Sequence, residues 1–271
     1  MQFDQMIHPI SFVRCKLAAV IGHQMDKMNR IVQTNLSTAL LHQKVFPQFK
    51  GIYAGREIAV IATGPSLLNY KPIPGCINIG VNSAFLREGL ELDYLFAMDF
   101  YSVKDYICKM NDYRRGKCIK FYGLLNEFLL SETVNYTIPE SDAIAAGAFR
   151  FRTDFAPVPG MRMKFAYDIS TFPLGDCYST VFPALQFACW TNPKTIYIVG
   201  CDCADTGHYD SKELEKEVAK KRPIVPDNYN KVKQSWLDFK IFAKAYYPNT
   251  RIVSVNPVGL KGVFEDLVQG D

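Results

Sequence analysis

The chain's most constraining feature is a short apolar run that leads directly into a turn of small residues. Residues 56–66 read Arg-Glu-Ile-Ala-Val-Ile-Ala-Thr-Gly-Pro-Ser, and a further apolar segment follows them. The pattern predicts a buried β-strand, a tight turn and a helix, and backbone N–H groups at the start of such a helix face an anion. We therefore predict that Thr63, Gly64, Pro65 and Ser66 bind a phosphate or a nucleotide.

A purely structural explanation of the same turn stays open. The turn contains one glycine, Gly64, where the dinucleotide-binding fingerprint contains three. Pro65 at the first helical position and Ser66 as a cap also suit an ordinary connection between a strand and a helix. The functional interpretation therefore needs support from other parts of the chain.

Further short apolar runs follow, separated by turn residues and by helical patterns. Runs of this length, apolar throughout, are typical of parallel strands that are covered on both faces. They lie at residues 76–81, 94–98, 118–122, 195–199 and 251–255, with helical patterns at residues 179–190 and 228–246. The sequence therefore predicts an α/β fold: a doubly wound, mostly parallel, Rossmann-like sheet that forms a single nucleotide-binding domain.

Two other regions complete the predicted domain organisation. Residues 1–50 have apolar residues at helical spacing and are interpreted as an N-terminal helical extension to the domain at residues 51–271. Within that domain, residues 123–178 are rich in aromatics and turn formers, which predicts a lid or an acceptor-binding insertion. The extension carries a Met-rich apolar stripe. We expect it to pack on the main domain or on a second subunit, giving a homo-oligomer, with a peripheral membrane contact as the alternative.

Composition narrows the function class. The 271 residues are 48% hydrophobic and 21% charged, and the net charge of +4 is scattered, which argues against nucleic acid as a partner. The eight cysteines are dispersed and are expected to be reduced. No apolar run is long enough to cross a bilayer, and the first residues do not read as a secretion signal. We therefore expect a cytoplasmic protein, with the inner face of the membrane as the alternative location.

Small polar residues follow the predicted strands. In parallel α/β sheets ligands bind beyond the carboxyl ends of the strands, where amide, hydroxyl and backbone groups recognise ribose, base and phosphate. Besides the turn at residues 63–66, the residues predicted to bind substrate are Asn82, Ser83, Asp99, Ser179, Thr180, Gly200 and Asn256, and those predicted to be catalytic are Asp202, His208 and Tyr209.

These strand-end residues resemble those of the bacterial sialyltransferases of glycosyltransferase family 42 and the related domain-of-unknown-function 115 and motility-accessory-factor glycosyltransferases. The resemblance covers about residues 56–260. The turn at residues 62–66 is similar to the family's nucleotide-binding turn, and Asn82 matches an asparagine that contacts the nucleotide sugar. The segments at residues 178–180 and 199–202 match the start of an apolar helix and the end of the following strand, and Tyr209 matches a tyrosine that neutralises the departing phosphate.

The resemblance implies an enzyme that uses an activated sugar nucleotide of the CMP type, such as CMP-sialic acid. Its acceptor would be a glycan in cell-surface or lipopolysaccharide biosynthesis, and its reaction an inverting displacement without a metal cofactor. The chain departs from the family at two places. Asp99 stands where the family has an asparagine, and no histidine follows His208, although the family's general base lies further along the chain.

The departures leave several assignments open. The general base is His208 or one of the carboxylates Asp99, Asp202 and Asp205, and Asp202 could instead hold its own loop through backbone N–H groups. Asp99 beside a phosphate leaves a divalent metal open, although no metal ligand is assigned. Two other functions remain: a Mg²⁺-dependent pyrophosphokinase of the pterin type, and a non-catalytic protein that binds nucleotide sugars. For Gly64→Val we expect lost nucleotide binding with an intact fold.

Overall fold

One parallel sheet forms the centre of the protein. The computed structural model describes residues 9–98, 107–124, 137–154, 165–177, 179–203 and 226–270. The strands of the sheet are β1 (Glu57–Ile61), β2 (Ile77–Val81), β3 (Tyr94–Ala97), β4 (Ile119–Leu124), β5 (Phe149–Asp154), β6 (Leu174–Gly175), β7 (Thr195–Val199), β8 (Arg251–Val255) and β9 (Glu265–Leu267). Their order is β6-β5-β4-β3-β2-β1-β7-β8-β9, and every described pair is parallel. The predicted α/β, doubly wound, Rossmann-like fold is confirmed.

Helices cover both faces of this sheet. The described α-helices are α1 (Pro9–His42), α2 (Ile107–Asp112), α3 (Glu140–Ala146), α4 (Val181–Trp190) and α5 (Pro226–Tyr246). Short 3₁₀-helices lie at Pro47–Phe49, Pro65–Asn69 and Asn82–Leu86. None of the described helices combines the length and the apolar character that crossing a membrane requires.

The strand residues alternate between two hydrophobic clusters, as a doubly wound sheet requires. In β1, Ile58 and Val60 pack on the side of α4, whereas Ala59 and Ile61 pack against Leu67 on the other side. All ten residues of α4 are buried. This helix is enclosed because the sheet covers one side and aromatic residues from α5 and from the segment after α1 pack against the rest.

The element after β1 differs from the predicted α-helix. It is a single 3₁₀-helix, in which Leu67 N–H donates to the Gly64 carbonyl at 3.0 Å and Tyr70 N–H donates to the Leu67 carbonyl at 3.1 Å. Pro72 and Pro74 follow at once. A proline disfavours the α conformation of the residue that precedes it, so the helix ends after five residues.

The region of the predicted lid or acceptor-binding insertion, residues 123–178, contributes to the sheet. Its described residues include α3, β5 and β6, and the two strands extend the sheet beyond β4. Phe149 and Phe151 of β5 pack in the core, whereas Arg150 and Arg152 alternate with them. Residues 125–136 and 155–164 of the predicted lid lie outside the described part.

Among its described side chains, helix α1 is anchored to the sheet by those of its last turns. His42 is fully buried; its Nδ1–H donates to the carbonyls of Ile169 (2.8 Å) and Phe172 (3.1 Å), and its Nε2 accepts the N–H of Arg152 at 2.8 Å. Burial lowers the pKa of His42 to about 4, so the ring is neutral at physiological pH. From residue 16 to residue 36, every side chain of α1 whose environment is described is exposed.

Candidate functional site

The direction of the chain across the sheet reverses between β1 and β7. Strands β2 to β6 are added outward from β1, and β8 and β9 are added outward from β7. The loops that leave the carboxyl ends of β1 and β7 therefore diverge, which is the position where open α/β sheets bind ligands. An open cleft of about 290 Å³ lies there.

Four parts of the chain line the cleft. The loop after β1 contributes Thr63 and Gly64, and the loop after β7 contributes residues 200–203. Ser179 and Val181 come from the start of α4, and Val232 and Trp236 come from α5. Of the predicted site residues, Thr63, Gly64, Ser179, Gly200 and Asp202 meet at this cleft.

A hydrogen-bonded bridge joins Asp202, which lines the cleft, to Ser66 in the loop after β1. Asp202 Oδ2 accepts the Ser66 N–H at 2.8 Å, and Asp202 Oδ1 accepts the Ser66 hydroxyl. A third bond joins the same loops, from Gly64 N–H to the Gly200 carbonyl at 2.7 Å. The N–H groups of Gly64 and Ser66 and the Ser66 hydroxyl are therefore satisfied within the protein. The donors that the turn was predicted to present to a phosphate are thus bonded to Asp202 and Gly200 in this structure, and Asp202 makes the loop-holding contacts given above as the alternative to a catalytic role.

The glycines of these loops allow backbone segments to approach closely. A Cβ atom on Gly64 would lie 2.6 Å from the Gly200 carbonyl oxygen and 2.7 Å from Asp202 Cγ. Gly200 has a φ of +64°, a conformation that favours glycine, and its own Cβ would lie 2.7 Å from the Ala62 carbonyl oxygen. Gly64 is thus needed for packing between the loops, and a side chain there would disturb the fold as well as any ligand.

Asn82 and Thr180 form a second polar contact near the strand ends. Asn82 Nδ2 donates to Thr180 Oγ1 at 3.3 Å, and Thr180 directly follows Ser179 of the cleft. Asn82 Oδ1 is buried, and no hydrogen-bond partner is found for it in the described part of the chain. Asn82 has a φ of +48°, which an asparagine adopts more readily than most residues. Ser83, which follows it, is buried.

Asn256, which was also predicted to bind substrate, lies away from the cleft. Asn256 Nδ2 donates to the Asn69 carbonyl at 3.3 Å, and Asn256 Oδ1 accepts the Gln269 N–H at 2.8 Å, so its side chain ties the C-terminal strand region to the loop after β1. It does not line the cleft. Asp99, His208 and Tyr209 lie outside the described residues, as does Asp205.

Several lining residues were not predicted from the sequence. Val232 and Trp236 fall within the helical pattern predicted at residues 228–246, and their contribution to the cleft depends on how α5 packs against the sheet. Cys201 and Cys203 flank Asp202 and could have been included because they share its strand-end loop. Burial raises the pKa of the Cys201 thiol well above its usual value, and the Asp202 charge beside it acts in the same direction. Cys201 is therefore a thiol and not a thiolate nucleophile at neutral pH.

Few charged side chains line the cleft within the described residues. Asp202 is the charged side chain that lines it within the described residues. Burial raises the pKa of the Cys203 thiol, and the charge of Lys233 on α5 partly opposes this effect, which places one cation near the rim. In the described part of the chain, no three His, Cys, Asp or Glu side chains come together as metal ligands.

Comparisons with known proteins add no relationship. No protein-family model matches the chain, and no curated protein matches it. The interpretation of the cleft depends on its own geometry.

Proposed function

We propose that the protein binds a sugar nucleotide of the CMP type in the cleft between β1 and β7 and transfers the sugar to a glycan acceptor. The observation that carries the proposal is the position of the cleft. It lies at the point where the strand order reverses and combines hydroxyl groups of Thr63 and Ser179, a fixed carboxylate and an apolar wall. Nucleotide sites of this fold class have that combination of position and chemistry.

Charge favours a donor that has a single phosphate. The described lining contains the Asp202 carboxylate and no basic side chain, with Lys233 near the rim. Two or three phosphates would bring a larger negative charge close to this carboxylate, which is unfavourable in a partly enclosed site. A CMP-linked sugar has one phosphate, and the sialyltransferase-like resemblance implies the same donor class.

The bridge between Asp202 and Ser66 suggests how the ligand is oriented. Each Asp202 oxygen accepts one hydrogen bond from Ser66, and each keeps a further lone pair. Asp202 can therefore accept hydroxyl groups of a ribose or a sugar, while its position stays fixed by Ser66. The Ser179 hydroxyl lines the cleft as well and is then a group that can donate a hydrogen bond to the leaving phosphate. His208 and Tyr209 remain proposed as base and phosphate ligand; His208 follows the cleft residue Cys203 by five positions.

A thermal-shift measurement with matched variants tests the proposal. CMP at about 100 times its dissociation constant should raise the melting temperature by roughly 5–10 °C, without a requirement for Mg²⁺. Val232→Trp fills the cleft and should abolish the shift. Leu237→Trp is the control, because Leu237 lies on the same helix, is 42% exposed and does not line the cleft.

The other outcomes separate the alternatives. A shift that needs both ATP and Mg²⁺ would replace the proposal with pyrophosphoryl transfer. Binding of CMP without release of CMP from CMP-sialic acid, tested with a panel of glycan acceptors, would favour a non-catalytic nucleotide-sugar-binding protein. No shift with any cytidine nucleotide, or an equal shift in the Val232→Trp variant, would contradict binding in this cleft.

A further inference from the structure

An exposed apolar stripe runs along the part of α1 that leaves the body of the protein. Its side chains are large and aliphatic, and each is between 51 and 66% exposed: Leu17, Ile21, Met25, Met28, Val32 and Leu36. The stripe does not pack on the sheet. The main domain, one of the two packing partners expected for this helix, therefore does not cover it. Soluble surfaces rarely carry contiguous apolar patches of this size without a partner.

The spacing of the stripe indicates a helical partner. Leu17 and Met28, Ile21 and Val32, and Met25 and Leu36 are each eleven residues apart. An eleven-residue repeat keeps one row of side chains along one side of an almost straight helix, as in helix–helix packing. Gln24 and Asn35, also eleven residues apart and exposed, lie beside the stripe. Their amides can form hydrogen bonds across a helix pair but would be unsatisfied in hydrocarbon.

The order of the side chains is the same in both directions. Read from either end, the stripe is a leucine, a β-branched residue and a methionine, followed by a methionine, a β-branched residue and a leucine. A second copy running antiparallel would therefore place Leu17 beside the partner's Leu36, Ile21 beside the partner's Val32 and Met25 beside the partner's Met28. A surface with this property is self-complementary about a two-fold axis, as an isologous dimer requires.

The available area and the shape of the molecule agree with this arrangement. The six apolar side chains of the stripe, at roughly 100 Å² each, offer on the order of 600 Å² per helix, which is the lower end of what each partner of a standard interface buries. In the antiparallel pair the two anchoring ends at His42 lie about 45 Å apart along the axis. Bodies with a radius of roughly 20 Å then fit without overlap, whereas parallel helices about 10 Å apart would place both bodies at one end.

We propose that α1 forms an antiparallel, two-fold symmetric helix pair with α1 of a second copy of this chain, through the stripe from Leu17 to Leu36. The proposal is independent of the ligand bound at the sheet.

The mass of the full chain in solution tests the interface. Sedimentation equilibrium at about 50 μM should give twice the chain mass of 30.7 kDa. Met25→Glu combined with Met28→Glu places charges in the stripe and should weaken dimerisation ~100-fold or more. Ala19→Glu combined with His23→Glu is the matched control, because both residues are exposed on the opposite side of the helix. Unchanged helical circular dichroism would show that both variants fold.

Disulfide formation tests the direction of the helices. Leu17→Cys and Leu36→Cys, each in a chain where Cys15 and Cys108 are serine, should form an intermolecular disulfide only when the two variants are mixed. A disulfide between two copies of the same variant would show that the helices are parallel and would overturn the proposal. A monomeric wild-type mass would also overturn it, whether or not the protein then sediments with phosphatidylcholine–phosphatidylglycerol vesicles, the result that a lipid-binding stripe would give.

Discussion

At the scale of single residues, the bridge between Asp202 and Ser66 determines what the loop after β1 can do. The Asp202 carboxylate takes up the two donors of Ser66 that a phosphate would otherwise use. The remaining lone pairs of the Asp202 oxygens, rather than the donors of Ser66, are thus the groups of the bridge that can bond to a ligand. We therefore expect the bridge to favour a ligand hydroxyl group over a phosphate.

Asp202→Asn should destabilise the protein by about 2 kcal/mol, because an amide has only one acceptor oxygen for two donors and a buried donor loses its partner. Ser66→Ala removes the hydroxyl bond alone and should cost about 1 kcal/mol. Urea denaturation measures both free energies of unfolding. The double variant should cost less than the sum, since the two residues act on one contact. Additive losses, or an Asp202→Asn variant as stable as the wild type, would contradict the bridge.

His42 gives the protein a specific acid sensitivity. Its pKa is about 4 in the folded protein and about 6.5 in an unfolded chain, so the unfolded state binds more protons between these values. The free energy of unfolding should therefore fall by up to about 3 kcal/mol as the pH drops from above 6.5 to below 4. His42→Gln should lower stability at neutral pH and make its pH dependence shallower. Urea midpoints across this range measure the effect, and parallel curves for the two proteins would exclude it.

The sequence identified Ser66 and Asp202 as strand-end residues but could not pair them. They are 136 residues apart, and their contact depends on β1 and β7 being neighbours in the sheet. The same limit applies to Asn256, whose strand-end position is as predicted but whose amide is used by Asn69 and Gln269. Position at a strand end follows from local patterns, whereas the partners of a side chain follow from the order of the strands.

At the scale of elements, uniform apolar runs were sufficient to predict six strands of the sheet. The elements that were missed lack such runs. In β5 two arginines alternate with two phenylalanines, β6 has two residues, and the residues of β9 are exposed. The apolar segment after β1 predicts a helix, but Pro72 and Pro74 limit it to a short 3₁₀-helix.

The close packing of the strand-end loops predicts that adding a methyl group destabilises the protein at some glycines and not at others. Gly64→Ala and Gly259→Ala should each destabilise the protein by roughly 1–3 kcal/mol, because a Cβ at either position would collide with the backbone of the loop after β7. Gly270→Ala should be neutral, since nothing lies near its Cβ. Thermal unfolding of the three variants measures this. Loss of nucleotide binding in Gly64→Ala with wild-type stability would restore the original expectation that this glycine serves the ligand.

At the scale of the whole molecule, two separate surfaces follow from how the chain is laid out. The reversal of strand order between β1 and β7 creates the cleft, and no local pattern in the sequence indicates where that reversal falls. The described part of the stripe on α1 is exposed, and the helix is anchored at its last turns through buried residues such as Thr38 and His42. Ligand binding and self-association are therefore expected to be separable.

This separation predicts how stability depends on concentration. A dimer is favoured by mass action, so the melting temperature of the full chain should rise with protein concentration. A chain that lacks residues 1–35 keeps the anchoring turns and should melt at one temperature at all concentrations, within about 2 °C of the dilute full chain, because the described side chains between residues 16 and 35 are exposed. Removing residues 1–43 takes away His42 and its bonds to Ile169 and Arg152, and should lower the melting temperature by several degrees. If the shorter deletion already melts far below the dilute full chain, the projecting part of α1 stabilises its own domain. The stripe would then have an intramolecular partner.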